Sequence, residues 1–234
     1  MALGFTQLAT GLQSTTNGTG AYTAIAGTPV IGDLLICMVI CTGNTTVGTL
    51  TGGGWTWRRL VSFTKTAGAD IASIWYAYAS AATSTACVYT PASAASGCFI
   101  HTVRVTGAEG QQQPYIRQSA TNTGTGANPT VVFSTAPLTG NGILAWGTNA
   151  TNNAAQWTAP TGFTEIAELA FNTPVNSLEI ARAISGITAT TLTWTNANLT
   201  AWVTYAIEFY VAGTGPTEAS SISDGTGFFG EFTP

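Results

Sequence analysis

The chain states one pattern twice. Gly32-Asp33-Leu34-Leu35, Gly54-Trp55-Thr56, the run from Ser73 to Ala79, Val88-Tyr89-Thr90 and Val103-Arg104-Val105 succeed one another in the first half. Gly142-Ile143-Leu144, Gly162-Phe163-Thr164, the run from Ser177 to Ala183, Thr193-Trp194-Thr195 and Ile207-Glu208-Phe209 come in the same order in the second. Matched positions lie about 105 residues apart, too long for a solenoid repeat and suited to a duplicated small domain. Each unit is then large enough to bury its own core.

The unit reads as all-β. Gly, Thr, Ser and Asn interrupt every apolar segment, and the segments are short and rich in β-branched and aromatic residues, so no helix is expected. Strands are expected near 21–26, 32–41, 55–64, 71–80, 85–90 and 97–106. In the second unit they are expected at 129–135, 142–148, 162–171, 176–184, 189–195 and 201–211. Trp75, Ala77 and Ala79 alternate with Tyr76, Tyr78 and Ser80, the period of two of an antiparallel strand. The uninterrupted apolar run from Leu34 to Cys41 is instead that of a strand covered on both faces. Gly52-Gly53-Gly54 and Ala159-Pro160-Thr161-Gly162 are matched turns. Gly107 to Asn128 reads as a linker, and its Thr121-Asn122-Thr123-Gly124-Thr125-Gly126 echoes Thr16-Asn17-Gly18-Thr19-Gly20 ahead of the first unit.

Charge is scarce: 7% of residues are charged, with one lysine, Lys65, and one histidine, His101. Solubility must rest on Thr, Ser, Asn and Gln. A surface so poor in charge can be buried against partners at little desolvation cost, which favours a member of an assembly. The acidic balance and the lack of a Lys/Arg cluster beyond Arg58-Arg59 argue against phosphate-backbone binding, so no nucleic-acid partner is expected. No stretch has the length of a membrane-spanning helix, and Met1 to Gln7 lacks the features of a signal peptide. The expectation is synthesis in a host cytoplasm without export and no membrane partner.

Cys37, Cys41, Cys87 and Cys98 all fall in the first unit. Cys37 and Cys41 share one strand face but lie too far apart to bridge; a Cys87–Cys98 bridge is open if their strands pair. Without Cys-x-x-Cys spacing, small core residues are the favoured reading, and no metal or other cofactor is expected. Catalytic signatures are sparse. His101 falls at the place of Tyr205 in the repeat and reads as a packing or hydrogen-bonding residue. Glu165 and Glu168 flank two residues and are expected on opposite strand faces. Glu179 and Glu208 fall on candidate neighbouring strands, with Arg182 and Arg104 as candidate ion partners. No catalytic residue is assigned. Trp55, Trp57, Trp157 and Trp194 are candidate sugar-stacking platforms; Trp55 and Trp194, matched in the repeat by Phe163 and Tyr89, read as core, and Trp57 is the more exposed tryptophan and the candidate glycan contact.

Beyond Gly213 the composition turns to Gly, Ser and Thr, ending in Gly227-Phe228-Phe229-Gly230-Glu231-Phe232. Phe228, Phe229 and Phe232 need burial, so residues 213–234 read as an extended arm that anchors on a neighbouring molecule.

Pro29-Val30-Ile31-Gly32-Asp33-Leu34-Leu35 opening an apolar strand, then Gly53-Gly54-Trp55-Thr56, Trp75-Tyr76-Ala77-Tyr78-Ala79 and Val103-Arg104-Val105-Thr106-Gly107, resemble the β-sandwich virion proteins of tailed bacteriophages, which serve as capsid decoration (cement) proteins or tail-associated modules. The resemblance covers residues 20–107 and 128–211. The second unit departs from it with Asn141-Gly142-Ile143-Leu144 and with Phe163 in place of tryptophan. It implies a structural role on the capsid surface of a virion, with the major capsid protein or other virion proteins as partners, and a homo-oligomer. The expected architecture is two tandem antiparallel jelly-roll-like β-sandwiches related by internal duplication: 1–110, 111–212, and the arm at 213–234. A tail or fibre-associated module is the sibling reading. A carbohydrate-binding, lectin-like protein with a surface glycan as ligand is the alternative from another class, and a hydrolase comes third.

Overall fold

The computed structural model describes residues 3–64, 70–107, 116–149, 157–172, 175–195 and 201–211. Among these the chain is all-β, every strand pairing is antiparallel, and no helix occurs. Strands are numbered along the chain. The first half builds a large sheet from β1 (Gly4–Gln7), β9 (Gly97–Thr106), β4 (Leu34–Thr42), β7 (Ile71–Tyr78) and β6 (Arg58–Thr64), in the order β1-β9-β4-β7-β6. Strand β2 (Leu12–Ser14) also pairs with β9. A small sheet of β3 (Tyr22–Thr23), β8 (Cys87–Thr90) and β5 (Thr49–Gly52), ordered β3-β8-β5, accompanies it. The second half builds its large sheet from β10 (Ile116–Gly124), β16 (Trp202–Phe209), β12 (Gly142–Asn149), β14 (Val175–Ala183) and β13 (Thr164–Asn172), ordered β10-β16-β12-β14-β13. Its small sheet is β11 (Thr130–Val132) with β15 (Thr191–Thr193).

The apolar faces stack these into four layers. Strand β4 is buried along its whole length because alternate residues face different cores. Leu34, Ile36, Met38 and Ile40 point to the middle, where they meet Leu144, Trp146, Leu178, Ile180, Tyr205 and Ile207 of the other large sheet. Leu35, Cys37, Val39 and Cys41 point outward to Tyr22, Leu50, Trp55 and Tyr89. On the far side Val131, Phe133, Leu192 and Trp194 cover Ile143, Ala145 and Ala206. The central core is thus shared by both halves, and it contains the largest cluster of buried aliphatic and aromatic side chains, the main stabilising term in such a fold. Aromatic pairs cross it: Phe5 with Phe209 at 5.7 Å and Phe63 stacked on Tyr205 at 5.8 Å.

Polar contacts fix how the large sheets face each other. At one end, Arg182 donates to the carbonyl of Phe5, and a side chain at Gly142 would collide with the Phe5 ring. At the other, Asn176 donates to Thr42 (3.0 Å) and to Asp70 (3.1 Å). Phe5 belongs with the start of β4 through Val105, and Thr42 ends β4; Gly142 starts β12 and Asn176 lies at its far end. Strands β4 and β12 therefore begin at the same end of the molecule.

The two large sheets share their strand order, β9-β4-β7-β6 against β16-β12-β14-β13, with β1 and β2 together standing where β10 stands. Both edge strands carry a bulge at the same place, between Arg59 and Val61 in β6 and between Glu165 and Ala167 in β13. That register puts Glu165 at the place of Arg59, two residues from the place of Trp57 that the match of Gly54-Trp55-Thr56 with Gly162-Phe163-Thr164 implies. The expected linker contains a nine-residue strand, β10, and the short strands β1, β2 and β5 were not expected from the sequence. The expected arm at 213–234 lies outside the described residues.

Candidate functional site

The glycine run before Trp55 shapes the region of the candidate glycan contact. Gly52, Gly53 and Gly54 have φ of 92°, 77° and 69°, left-handed backbone that side chains resist, and a Cβ on Gly53 would collide with the Trp55 ring. The turn packs Trp57 edge-on to Trp55 at 6.0 Å and lets its indole N–H donate to the Gly52 carbonyl (3.2 Å). Trp57 is half-buried, not a free stacking face. Trp55 and Trp194 are buried, as their reading as core required, and Trp157, a candidate stacking platform in the sequence, is buried as well. Phe228, Phe229 and Phe232 lie outside the described residues.

The cysteines are all free and buried, so the Cys87–Cys98 bridge is not formed. Burial raises the Cys98 and Cys37 thiols well above their ordinary range and Cys41 to about 12, which suppresses the reactive thiolate.

The titratable groups divide into those with partners and those without. Arg104 pairs with Asp33, whose carboxylate also accepts from the Val30 N–H (2.7 Å) and so closes the turn before β4. Glu208 is fully buried and fully bonded. It accepts from Arg117 (2.7 Å), Gln118 (2.6 Å), the Leu138 N–H (2.8 Å) and Asn141 (2.7 Å). The partners expected from sequence are corrected: Arg104 serves Asp33, and Arg182 serves a backbone carbonyl.

Glu179 is different. It lies opposite Gly147 on one side and Glu168 on the other, is 0% exposed, and neither oxygen has a hydrogen-bond partner. Burial first, then the nearby Glu165 and Glu168, push its carboxyl up to about 8, with the neighbouring Trp194 indole opposing weakly. It is therefore largely protonated at neutral pH. The expectation that Glu165 and Glu168 face opposite ways fails because of the bulge: Glu165 pairs with Ala181 and Glu168 with Glu179, two positions on the same strand face. Glu179 and Glu208 share the outer face but pair with Gly147 and Ile143 of β12, four residues apart, on either side of that strand. That separation exceeds the spacing of a glycosidase acid pair, roughly 5–10 Å. Among the described residues no group of three or more His, Cys, Asp or Glu is placed to hold a metal ion.

His101 faces the central core beside Gly11 and Leu169, 1% exposed, with neither ring nitrogen bonded. Burial pushes its pKa down to about 4, so it is neutral at physiological pH. Its strand partner is Met38, as Trp146 is the partner of Tyr205, so His101 and Tyr205 do occupy matching places.

A cavity of about 230 Å³ opens between β2 and β3, lined by Leu12, Ser14, Thr16, Asn17, Tyr22 and neighbouring glycines, with the Tyr22 hydroxyl bonded to the Thr16 carbonyl (2.6 Å). It contains hydroxyl and amide groups but no titratable pair.

No protein-family model, no curated protein and no solved structure matches this chain.

Proposed function

We propose that this protein is a non-enzymatic structural component of a tailed-phage virion, a decoration protein that bridges capsid subunits on the head surface. The observation that carries the reading is the strand path. Taking β1 and β2 as the first of eight strands, the first half runs 1-8-3-6-5 in its large sheet and 2-7-4 in its small one. That path resembles a jelly roll with its fifth strand moved to the large sheet, and it supports an architecture shared by capsid and lectin domains. The common strand order and the shared bulge support an internal duplication of this unit. Two jelly rolls joined through one core make a stiff block with few charges on which contacts of ordinary size, about 800 Å² per partner, can be repeated around a symmetric shell. The arm at 213–234, with Phe228, Phe229 and Phe232, supplies an anchor to the major capsid protein or to a neighbouring copy.

Cryo-electron microscopy of the native particle tests this. Density for the four-layer body on the head supports the reading, and its location at the tail tip or its absence from the particle overturns it. The lectin reading is favoured by a separate observation, the hydroxyl-lined cavity beside Tyr22. A glycan-array signal lost on Thr16→Val would support a site there, and one lost on Trp57→Ala would move the site to the glycine turn.

A further inference from the structure

The end of the molecule at which β4 and β12 begin is unlike the opposite end. Four of the seven exposed large apolar side chains among the described residues stand there: Val30 (53% exposed), Ile31 (66%), Leu138 (45%) and Ile184 (55%). Val30 and Ile31 form the turn entering β4, which is tied to the end of β7 by the Gly32 N–H bonded to Ala79 (2.8 Å). Leu138 lies in the turn entering β12, and Ile184 comes directly after the last residue of β14; the two are joined through Gly186 bonded to Thr139 (2.7 Å). All five arginines occur in the half of their sheets nearest this end. Arg104 and Arg117 are neutralised by Asp33 and Glu208, while Arg58 and Arg59 are exposed. The opposite end carries the buried polar side chains of Thr42, Asp70, Asn149 and Asn176 and one exposed large apolar residue, Val175 (38%).

The size of this surface limits what can cover it. Four half-exposed aliphatic side chains amount to a few hundred Å² at most, well short of the roughly 800 Å² per partner of a stable protein interface. It suits a short peptide carrying two or three aromatic rings. The last described strand, β16, ends at Phe209 opposite Gly142, so the chain leaves the body at this same end. A sixteen-residue stretch, 212–227, then leads to Phe228-Phe229-Gly230-Glu231-Phe232. From 212 onward there are three acidic residues, Glu218, Asp224 and Glu231, and no basic one, the complement of an arginine-bearing end. Sixteen residues of a random coil would span about 20–24 Å on average, enough to return to the end the chain left and short enough to keep a high local concentration there.

We infer that the surface formed by Val30, Ile31, Leu138 and Ile184 is the docking site for this chain's own C-terminal segment, with the aromatic rings of Phe228, Phe229 and Phe232 on the aliphatic side chains and the acids toward Arg58 and Arg59. The unassembled protein thereby covers its own apolar end. The inference goes beyond the virion reading and does not depend on it.

Limited chymotrypsin digestion of the full chain, with mass spectrometry at Phe228, Phe229 and Phe232, tests it against the full-length I31S/I184S variant, whose changes are at exposed positions. The wild-type segment should be cut at least about tenfold more slowly than the variant's, because cleavage tracks the undocked population. That rate should not change with protein concentration. Equal rates in the two proteins, fast or slow, overturn the proposal. Protection that grows with concentration also overturns it, since the occupant is then a second copy's segment.

Discussion

Replacing Glu179 by Gln removes a charge and keeps the shape. The carboxyl is buried, unbonded and raised to about 8 from the ordinary value of 4.5. In the folded protein it therefore holds its proton over a pH range where the unfolded chain has lost it. A group whose acid pKa is raised on folding contributes stability fully at pH below 4.5 and loses it as pH rises toward 8. At about 1.36 kcal/mol per unit, a displacement of three to four units is about 4–5 kcal/mol, an upper figure because water and neighbouring side chains relax around a newly formed charge. Glu179→Gln should exceed wild type by less than about 1 kcal/mol near pH 5, where both folded side chains are neutral, and by several kcal/mol at pH 9. That difference corresponds to about 10 °C or more in Tm for a chain of this size. Urea midpoints of both proteins at half-unit steps from pH 5 to 9 would measure it. A difference that does not vary with pH would refute the buried, unpaired carboxyl. A variant less stable than wild type at pH 9 would mean that the charged Glu179 has a partner the geometry does not contain.

His101 should act in the opposite sense: lowered to about 4, it favours the folded state above pH 6.5 and costs about 3 kcal/mol as pH falls from there to 4, a loss absent in His101→Gln by thermal melting. Gly147→Ala places a Cβ 2.5 Å from the Trp157 ring, which is held by its bond to Ser177 (2.8 Å), and should cost about 1–3 kcal/mol by chemical denaturation. Trp146→Ala empties the core shared by both halves and should cost about 3–5 kcal/mol while leaving a single unfolding transition by calorimetry; two resolved transitions would mean that the halves fold separately. Native thiol titration should find Cys37, Cys41 and Cys98 slow to react until the protein unfolds. On the proposed virion reading, Phe228→Ser, Phe229→Ser and Phe232→Ser together should leave the fold intact and weaken attachment to the particle, read by co-sedimentation.

Where the periodic pattern was strong, the strands were legible. Strand β4 reads as buried on both faces because its even and odd residues are both apolar, and β7, β9, β12, β14 and β16 fall within two residues or so of their expected bounds. Strand β10 was hidden because it is an edge strand of Gln, Ser, Thr and Asn, whose pairing with β16 comes from backbone bonds and not from an apolar face. The placement of Glu165 and Glu168 was illegible for another reason: a single bulge at Ile166 reverses the parity on which alternation arguments depend, and nothing in Glu165-Ile166-Ala167-Glu168 announces it. Charge pairing was missed because partners come from turns. Asp33 and Asn141 look like ordinary turn residues, yet they close Arg104 and Glu208.

The two halves differ from each other in two physically distinct ways. Leu35 lies between Arg104 and Ala77, and Ile143 between Glu208 and Ala183, so Arg104 and Glu208 share a place, as do Asp33 and Asn141. The sign of the charge is inverted, but each half retains a polar clasp between the turn and the last strand. A clasp of either sign satisfies the backbone of the turn, so this difference has a structural equivalent on both sides. Ser73 and Glu179 also share a place, opposite Val39 and Gly147. Here Ser73 is bonded to the Trp75 indole (2.9 Å), whereas Glu179 bonds nothing. A buried group that costs stability and closes nothing is expected to persist where something other than folding retains it. Glu179→Ser, which copies the first half, should therefore raise stability at neutral and alkaline pH. If attachment to the particle falls while stability rises, the outer face around Glu165, Glu168 and Glu179 belongs to a contact surface. If attachment is unchanged, the carboxyl has no part in assembly, and the arginine-bearing end becomes the first surface to probe.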